Sequence, residues 1–483
     1  MTIAVMNDFS PAALPRLIQG GMGVSVSNWR LARAVSSQGQ LGVVSGTALD
    51  QVLVRRLQDG DPDGDVREAL AAFPVPDVAE RIVQRFHIPG GKAPTASYPT
   101  LPMHGLPLSL DAQELLVASN FVEVWLARQG HDHPVGINYL EKLQLPHLPS
   151  MYGAMLAGVS YVLMGAGIPL KIPGALDRLA RHEDAEYPIA VTGAQPGDDF
   201  VARFTPRDVV PLDLPPLMRP AFLAIVASGT LATTMVKRAN GRVDGFVVEG
   251  PTAGGHNAPP RGKLQVDDEG QPVYGERDVV DLSVLRELGR PFWLAGGYGN
   301  ADRVREALAA GAAGVQVGTA FAYCTESGMR PDQRRAIAEQ VRTGTVRVFT
   351  DALASPTGFP FKVVQIDTSV SDPDVYAARP RICDLGYLRE GYRDADGALA
   401  FRCAAEPLST YVAKGGTLDD TVSRKCICNA LMASAGHSQV RARRHVEPGI
   451  VTSGDALEDL RQFMTADSSV YSASDVIRAL LAD

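Results

Sequence analysis

The stretch FWLAGGYGNADRVREALAAGAAGVQVGTAF, Phe292 to Phe321, decides the fold. A short apolar run ends at Ala295, Gly296 and Gly297 follow, and NADRVREALAAG has the apolar spacing of an amphipathic helix. A second apolar run, GVQV, then ends in Gly318 and Thr319. Strand, helix and strand in so short a span form a βαβ unit, which places the two strands parallel in one sheet. The glycines expose backbone N–H groups without Cβ obstruction, one pair of them at a helix start, and together they make a receptacle for a dianionic phosphate.

The same unit recurs along the chain. LIQGGMG, LGVVSG, VGINYL, YVLMGAG, FLAIVASG and DGFVVEG each read as a strand whose carboxyl end runs into small residues, and with the two strands above they make eight. They show little polar alternation, so they belong to a parallel sheet covered on both faces. Eight βα units close most economically into an α/β TIM (β/α)8 barrel, in which every loop after a strand reaches one rim and phosphates bind after strands seven and eight. A doubly wound dinucleotide fold competes less well, because AGGYGN does not give G-x-G-x-x-G. After the first strand, SNWRLARAVSSQG reads as a helix with Ser27 as its cap and Gly39 as its stop.

The barrel is expected over residues 1–345, with insertions at about 51–130 and 183–218. The second insertion carries a strand, turn and strand in PIAVTGAQPGDDFVARFTP, and KLQVDDEGQPVYG at 263–275 has the same look. Residues 346–483 form a C-terminal accessory region with a cysteine cluster and a terminal helix, packed near the barrel mouth or at a contact between copies of a homo-oligomer.

Composition narrows the function classes. The 483 residues carry a net charge of −8 without a basic block interleaved with aromatics, which disfavours nucleic acid as a partner. The opening MTIAVMNDFSPAALPRL has no basic segment followed by a continuous apolar run, so a cytoplasmic protein without signal or anchor is expected. Leu148–Leu170 and Pro220–Val236 are uncharged, but Gly, Ser, Thr and Pro punctuate them where strands hand over to loops, so they read as buried core rather than membrane spans. Of five cysteines, Cys383, Cys403, Cys426 and Cys428 fall together; C-x19-C-x22-C-x-C matches no common ligand pattern, leaving a metal site or a set of small buried residues.

The remaining signal is VVEGPTAGGHNAPPRG, Val247 to Gly262. A buried strand delivers Gly254, Gly255 and His256 to the rim, and an imidazole with its ordinary pKa near 6.5 can take or give a proton at neutral pH. His131, His133, His147 and His437 lack such a setting and read as loop or surface residues.

LIQGGMGVSVS, VGINYL, IVASG, VVEGPTAGGH and the opening segment follow the order and approximate spacing of the nitronate monooxygenase group, which this chain resembles over most of residues 15–330. That group shares its barrel with the flavin-dependent enoyl-acyl carrier protein reductases. The resemblance implies FMN at the barrel mouth, its phosphate on Gly296, Gly297, Gly318 and Thr319 with Gln316 just before the turn. It further implies Gly20, Gly21 and Met22 along the flavin ring, Asn138 and Ser228 bonding ring or ribityl atoms, Glu249 and Gly255 beside the cofactor, and His256 as the catalytic acid/base. Where the group has QGxEAGGHRG, this chain has EGPTAGGHNAPPRG, with Glu249 and Thr252 in place of its glutamine and glutamate and a longer loop after the histidine. The polar, proline-containing loop is closer to trans-acting enoyl reductases. Two expectations follow: oxidation of an alkyl nitronate with O2, or NAD(P)H-dependent reduction of an enoyl thioester. A non-catalytic scaffold fits less well, since it needs neither a phosphate cup nor a poised histidine.

Overall fold

The computed structural model describes residues 14–465 and 467–482. Most of the amino-terminal stretch read for a signal segment, residues 1–13, lies outside the described residues.

Eight strands build the centre: β1 Leu17–Gln19, β2 Gly42–Ser45, β3 Val135–Leu140, β4 Tyr161–Gly165, β5 Ala221–Val226, β6 Gly245–Glu249, β7 Phe292–Ala295 and β8 Gly314–Val317. The order is β1-β8-β7-β6-β5-β4-β3-β2, every pairing parallel. The ring closes between its two ends, where Ile18 pairs with Leu41 and the Gln19 N–H donates to the Leu41 carbonyl at 2.9 Å. The expected (β/α)8 barrel is therefore what the chain forms. Its interior is packed by Ile18, Leu41, Val43, Tyr161, Leu163, Leu223, Val247 and Trp293, and the Trp293 indole N–H is satisfied by the Pro15 carbonyl at 2.8 Å. Alternate residues of the same strands face outward onto helices, so both faces are dry and the unbroken Val/Ile/Leu runs are explained.

The two uncharged stretches resolve into short elements: a helix His147–Leu156 before β4, and β5 followed by a helix Gly229–Arg238. No helix among the described residues is long and apolar enough to cross a membrane. The stretch 51–130 carries helices over Asp65–Ala71, Pro76–Phe86 and Leu110–Ala127. The last is apolar on nearly all sides because it is sandwiched against its neighbours, and its buried Glu123 is neutralised by Arg56 at 2.6 Å. In 183–218, Ala185–Pro188 pairs antiparallel with Val201–Phe204. At 263–275 there is less than the expected hairpin: a single bridge, Val266 to Pro272, because exposed Leu264, Val266 and Val273 have no second face to pack on.

Beyond the barrel, β9 Val348–Asp351 and β10 Phe361–Val364 form a hairpin, and β11 Glu390–Arg393 pairs with β12 Leu399–Arg402. β11 also takes Val191–Thr192 as a parallel neighbour. Phe361, Val363, Ile427, Ala430 and Ile450 make a small core of their own. A second cluster, Val24, Ala48, Val52, Leu385 and Met432, mixes residues of the barrel rim with residues beyond it, so the late part of the chain sits over the mouth.

One local expectation is overturned. The helix after β1 runs Trp29–Ser36 with Asn28 as its cap, its side chain accepting the Leu31 N–H at 3.0 Å. Ser27 instead folds the β1 loop: its hydroxyl accepts the Met22 N–H and donates to the Gly20 carbonyl, both at 2.9 Å.

Candidate active site at the barrel mouth

A cavity of about 250 Å³ opens at the carboxyl ends of the strands. Gly20, Gly21, Met22, Asn138, Glu249, Gly255, His256, Gly296, Gly297, Gln316, Gly318 and Thr319 all line it. Ser228 does not; its hydroxyl accepts the Leu231 N–H at 3.0 Å and caps the helix Gly229–Arg238. A serine directly before a helical pattern is more economically a cap than a ligand, since an unsatisfied first turn costs more than a surface hydroxyl contributes elsewhere.

Backbone geometry shapes the floor. Gly296 and Gly297 have φ of +88° and +79°, a conformation that side-chain-bearing residues rarely adopt, and it turns the chain after β7 toward the helix Ala301–Ala309. At Gly21 a Cβ would lie 2.3 Å from Asn138 Cβ, so only glycine lets the β1 loop press onto β3. No Lys or Arg is among the lining residues. An anionic group held here is therefore met by backbone N–H groups and hydroxyls, as a phosphate is at a helix start. Asp459, also in the wall, lies 3.5 Å from Asn300 Nδ2 near that turn and sets a limit to how much negative charge fits there.

The residues beyond the barrel supply the other half of the site. Thr319 Oγ1 accepts the Gly454 N–H at 3.0 Å, the Gly255 N–H donates to Thr452 Oγ1 at 2.8 Å, and the Asp455 N–H donates to the Thr252 carbonyl at 3.1 Å. Along the other edge β10 runs beside the histidine loop: the Asn257 N–H donates to the Pro360 carbonyl at 2.9 Å and the Lys362 N–H to the Gly255 carbonyl at 3.0 Å. His256 is thus held as an added rung on β10, its ring against Phe361 with centroids 4.7 Å apart. Phe361, Tyr387, Cys428, Thr452, Leu460 and Phe463 complete the wall. Apart from Cys428, singled out in sequence only as one of a cysteine cluster, the sequence offered no signal for these beyond their position in a region of unassigned purpose; sequence reasoning also missed Ser355 and the loop-folding role of Ser27.

Electrostatics divides two titratable groups that face the cavity, His256 and Glu249. Burial pushes the His256 imidazole down to about 4, below the ordinary range expected for it, so it is neutral at pH 7. Burial also pushes the Glu249 carboxyl, at the end of β6, up to about 7. The imidazole is suited to accept a proton and the carboxyl to hold one. His256 Nε2 lies 2.8 Å from Ser355 Oγ, and Nδ1 has no hydrogen-bond partner among the described residues. Two other histidines are not surface residues: His147 is buried with Nε2 3.1 Å from the Leu140 carbonyl, and His437 is buried with Nδ1 3.2 Å from Asp59.

Cys383, Cys403, Cys426 and Cys428 line one small void beside the mouth, together with Arg389. Among the described residues no group of three or more His, Cys, Asp or Glu is arranged to hold a metal ion. The Cys383 and Cys403 thiols hydrogen-bond each other, which holds Cys383 below the usual thiol range, while burial raises Cys426 and Cys428.

Residues 217–352, from β5 through β9, match the family model described as nitronate monooxygenase. The nitronate monooxygenase of Paraburkholderia phytofirmans is 28% identical over 188 residues, 38% of this chain and 48% of that protein. That of Pseudomonas aeruginosa is 32% identical over 121 residues, 24% of this chain and 32% of that protein. The matched segments thus span about half or less of those relatives. Among solved structures, FabK from Thermotoga maritima superposes at a TM-score of 0.46 with 16% identity, covering 97% of this chain and 91% of that one. Nitroalkane oxidase from Streptomyces ansochromogenes gives a TM-score of 0.46 and 16% identity, covering 97% and 95%. The segment that matches the nitronate monooxygenase model is the one that carries β6, the histidine loop, the two glycines after β7 and the turn after β8.

Proposed function

We propose that this chain is an FMN-dependent oxidoreductase that oxidises alkyl nitronates with O2. The observation that carries the reading is the meeting of Gly296, Gly297, Gly318 and Thr319 with His256 around one cavity. Backbone N–H groups without competing side chains fit a phosphate, and the glycine-lined β1 loop with Met22 offers a flat, apolar surface for a ring. Gln316, Asn138 and Glu249 stand around that surface as polar groups, with Gly20, Gly21 and Gly255 giving close backbone approach. FMN, when bound, supplies an electron acceptor for the substrate and a donor for oxygen.

The protein's own part is to bind, orient and move protons. The apolar wall from Phe361 and Phe463 excludes water from the reacting end of the substrate. His256 presents a neutral imidazole whose Nδ1 can take a proton from the acidic carbon of a nitroalkane or accept a hydrogen bond. That protonation state favours proton removal over proton delivery, which suits formation of the nitronate from a neutral nitroalkane better than protonation of an enoyl α-carbon.

A second observation favours NAD(P)H-dependent reduction of an enoyl thioester. A cavity of about 530 Å³ adjoins the first through Leu143, Tyr387 and Leu388 and carries Lys142, Arg389 and Arg424, which suits a long substrate with an anionic arm.

Anaerobic mixing separates the two. Under the first reading the visible flavin bands of the purified protein bleach with propyl-2-nitronate and no pyridine nucleotide, and colour returns with air. Bleaching by NADPH alone selects the second. A protein that stays colourless after incubation with FMN sinks both. His256→Ala is expected to keep the flavin and lose about two to four orders of magnitude in turnover of the neutral nitroalkane, with a smaller loss on the preformed nitronate.

A further inference from the structure

The imidazole of His256 does not end at its own ring. Nε2 lies 2.8 Å from Ser355 Oγ, and Ser355 Oγ lies 2.8 Å from Thr357 Oγ1. Ser355 is fully buried, whereas Thr357 is partly exposed and forms part of the wall of the second cavity, beside Pro356 and Gly358. A file of three side chains thus joins the histidine of the inner cavity to the outer one, and the tight turn around Ser355 fixes it. The Thr357 N–H donates to Ser355 Oγ at 3.2 Å, and Arg424 grips the Ser355 carbonyl at 2.6 Å.

We infer that Ser355 and Thr357 form a hydroxyl relay that exchanges protons between His256 and water in the second cavity. The balance is simple. With the imidazole proton on Nε2, Nδ1 accepts a proton from the substrate carbon; Nε2 then releases its proton to Ser355 Oγ, Ser355 passes its own to Thr357 Oγ1, and Thr357 passes its own to water. One proton leaves the substrate, one reaches solvent, and the ring returns to neutrality as the other tautomer. Run backward, the same file delivers a proton to the inner cavity. No electrons move, and no co-reactant besides water is required.

Two physical facts call for such a path. The first is that an imidazolium in this cavity is costly: burial pushes the ring toward neutrality, and the two carboxyl groups in the same wall, Glu249 and Asp459, are not hydrogen-bonded to it. On the neighbouring elements Lys362 is spent on Asp455 at 2.6 Å, Lys425 on Asp351 at 2.9 Å, and Arg424 on backbone carbonyls. A proton taken up must therefore be passed on rather than stored. The second is that Ser355 is a poor structural choice without a role, since a fully buried hydroxyl is retained at a desolvation cost only where its bonds offset it. Here every bond it makes lies along the file or fixes it.

Ser355 and Thr357 act through His256 and are positioning residues. The proposal rests on the reading of His256 as the base, so its test includes a measurement that does not depend on turnover. Thr357→Val is nearly isosteric and breaks only the outer link; Ser355→Ala breaks the inner one; Thr357→Ser keeps the hydroxyl. With flavin content and melting temperature as checks on folding, both breaking variants are expected to slow the proton-transfer step about tenfold. Both should alter its solvent deuterium effect and pH profile, and Thr357→Ser should restore wild-type behaviour. In parallel, NMR of protein carrying ¹⁵N-histidine, assigned with His256→Gln, should show the His256 Nε2 tautomer balance and proton-exchange rate changed in Ser355→Ala. If neither nitronate nor NADPH supports turnover, that spectrum alone decides. Folded variants with an unchanged spectrum, and with unchanged rates wherever turnover is seen, overturn the relay.

Discussion

The backbone N–H of Gly255 donates to Thr452 Oγ1 at 2.8 Å across 197 residues of sequence, so the glycine next to His256 is held by a hydroxyl from far outside the family segment. Thr452→Val keeps the shape and removes the acceptor. We expect a loss of about 1–2 kcal/mol in unfolding free energy and a larger fall in turnover than in cofactor affinity, because the histidine loop loses its anchor while the glycine turns proposed to hold the phosphate keep their own donors. Urea titration with flavin fluorescence of the same sample checks both; a variant indistinguishable from wild type in each would remove the anchor from the account.

His256 and Glu249 should pull stability in opposite directions with pH. His256 sits at about 4 in the folded protein against its ordinary 6.5, so its contribution is present above about pH 6.5 and is lost as pH falls through 4. Glu249 sits at about 7 against 4.5, so its contribution is present below pH 4.5 and is lost as pH rises through 7. His256→Gln is therefore expected to flatten the acid side of the stability profile and Glu249→Gln the neutral side, each by roughly 1–3 kcal/mol. Urea midpoints between pH 4.5 and 8 read the signs directly, and the same sign for both variants would contradict the assignment.

Buried Glu447 joins Arg379 and Arg441, the latter at 2.9 Å, and Arg441 also reaches Asp384. Arg379 and Glu447 are almost inaccessible. Glu447→Ala leaves two desolvated guanidinium groups with one carboxylate between them, and should cost about 3–5 kcal/mol. The effect should appear as a lowered unfolding midpoint at unchanged net fold by circular dichroism.

Cys383 should alkylate ahead of the other thiols. Its bond from Cys403 keeps the sulfur below the usual range, whereas burial raises Cys324, Cys426 and Cys428. Iodoacetamide at neutral pH followed by peptide mass spectrometry gives the order, and early labelling of Cys428 would show that the small void is open to solvent.

The barrel was legible because its strands are local: each apolar run and its terminal glycines carry their meaning in a handful of residues, and DGFVVEG or GVQVGTAF reads the same way wherever it packs. The same locality failed at Ser27 and Asn28, where two adjacent cap formers stand before one helix and a tertiary demand, folding of the Gly20–Gly23 loop, took the first of them. Ser228 failed for the opposite reason, a helix start claiming a residue assigned to the cavity. His147 and His437 look like loop residues in sequence, but partners 7 residues away and 378 residues away, Leu140 and Asp59, draw them inside. Ser355, Thr452 and Phe361 were illegible because their meaning lies wholly in non-local contacts with the histidine loop.

Because the cavity is bounded at one edge by Gly20 and at another by Phe463, its enclosure cannot precede synthesis of the later segment. A chain ended after β8 would therefore lack the wall that Thr452 to Phe463 supply, and a ligand reaching the complete protein must pass by whatever routes this late segment leaves open.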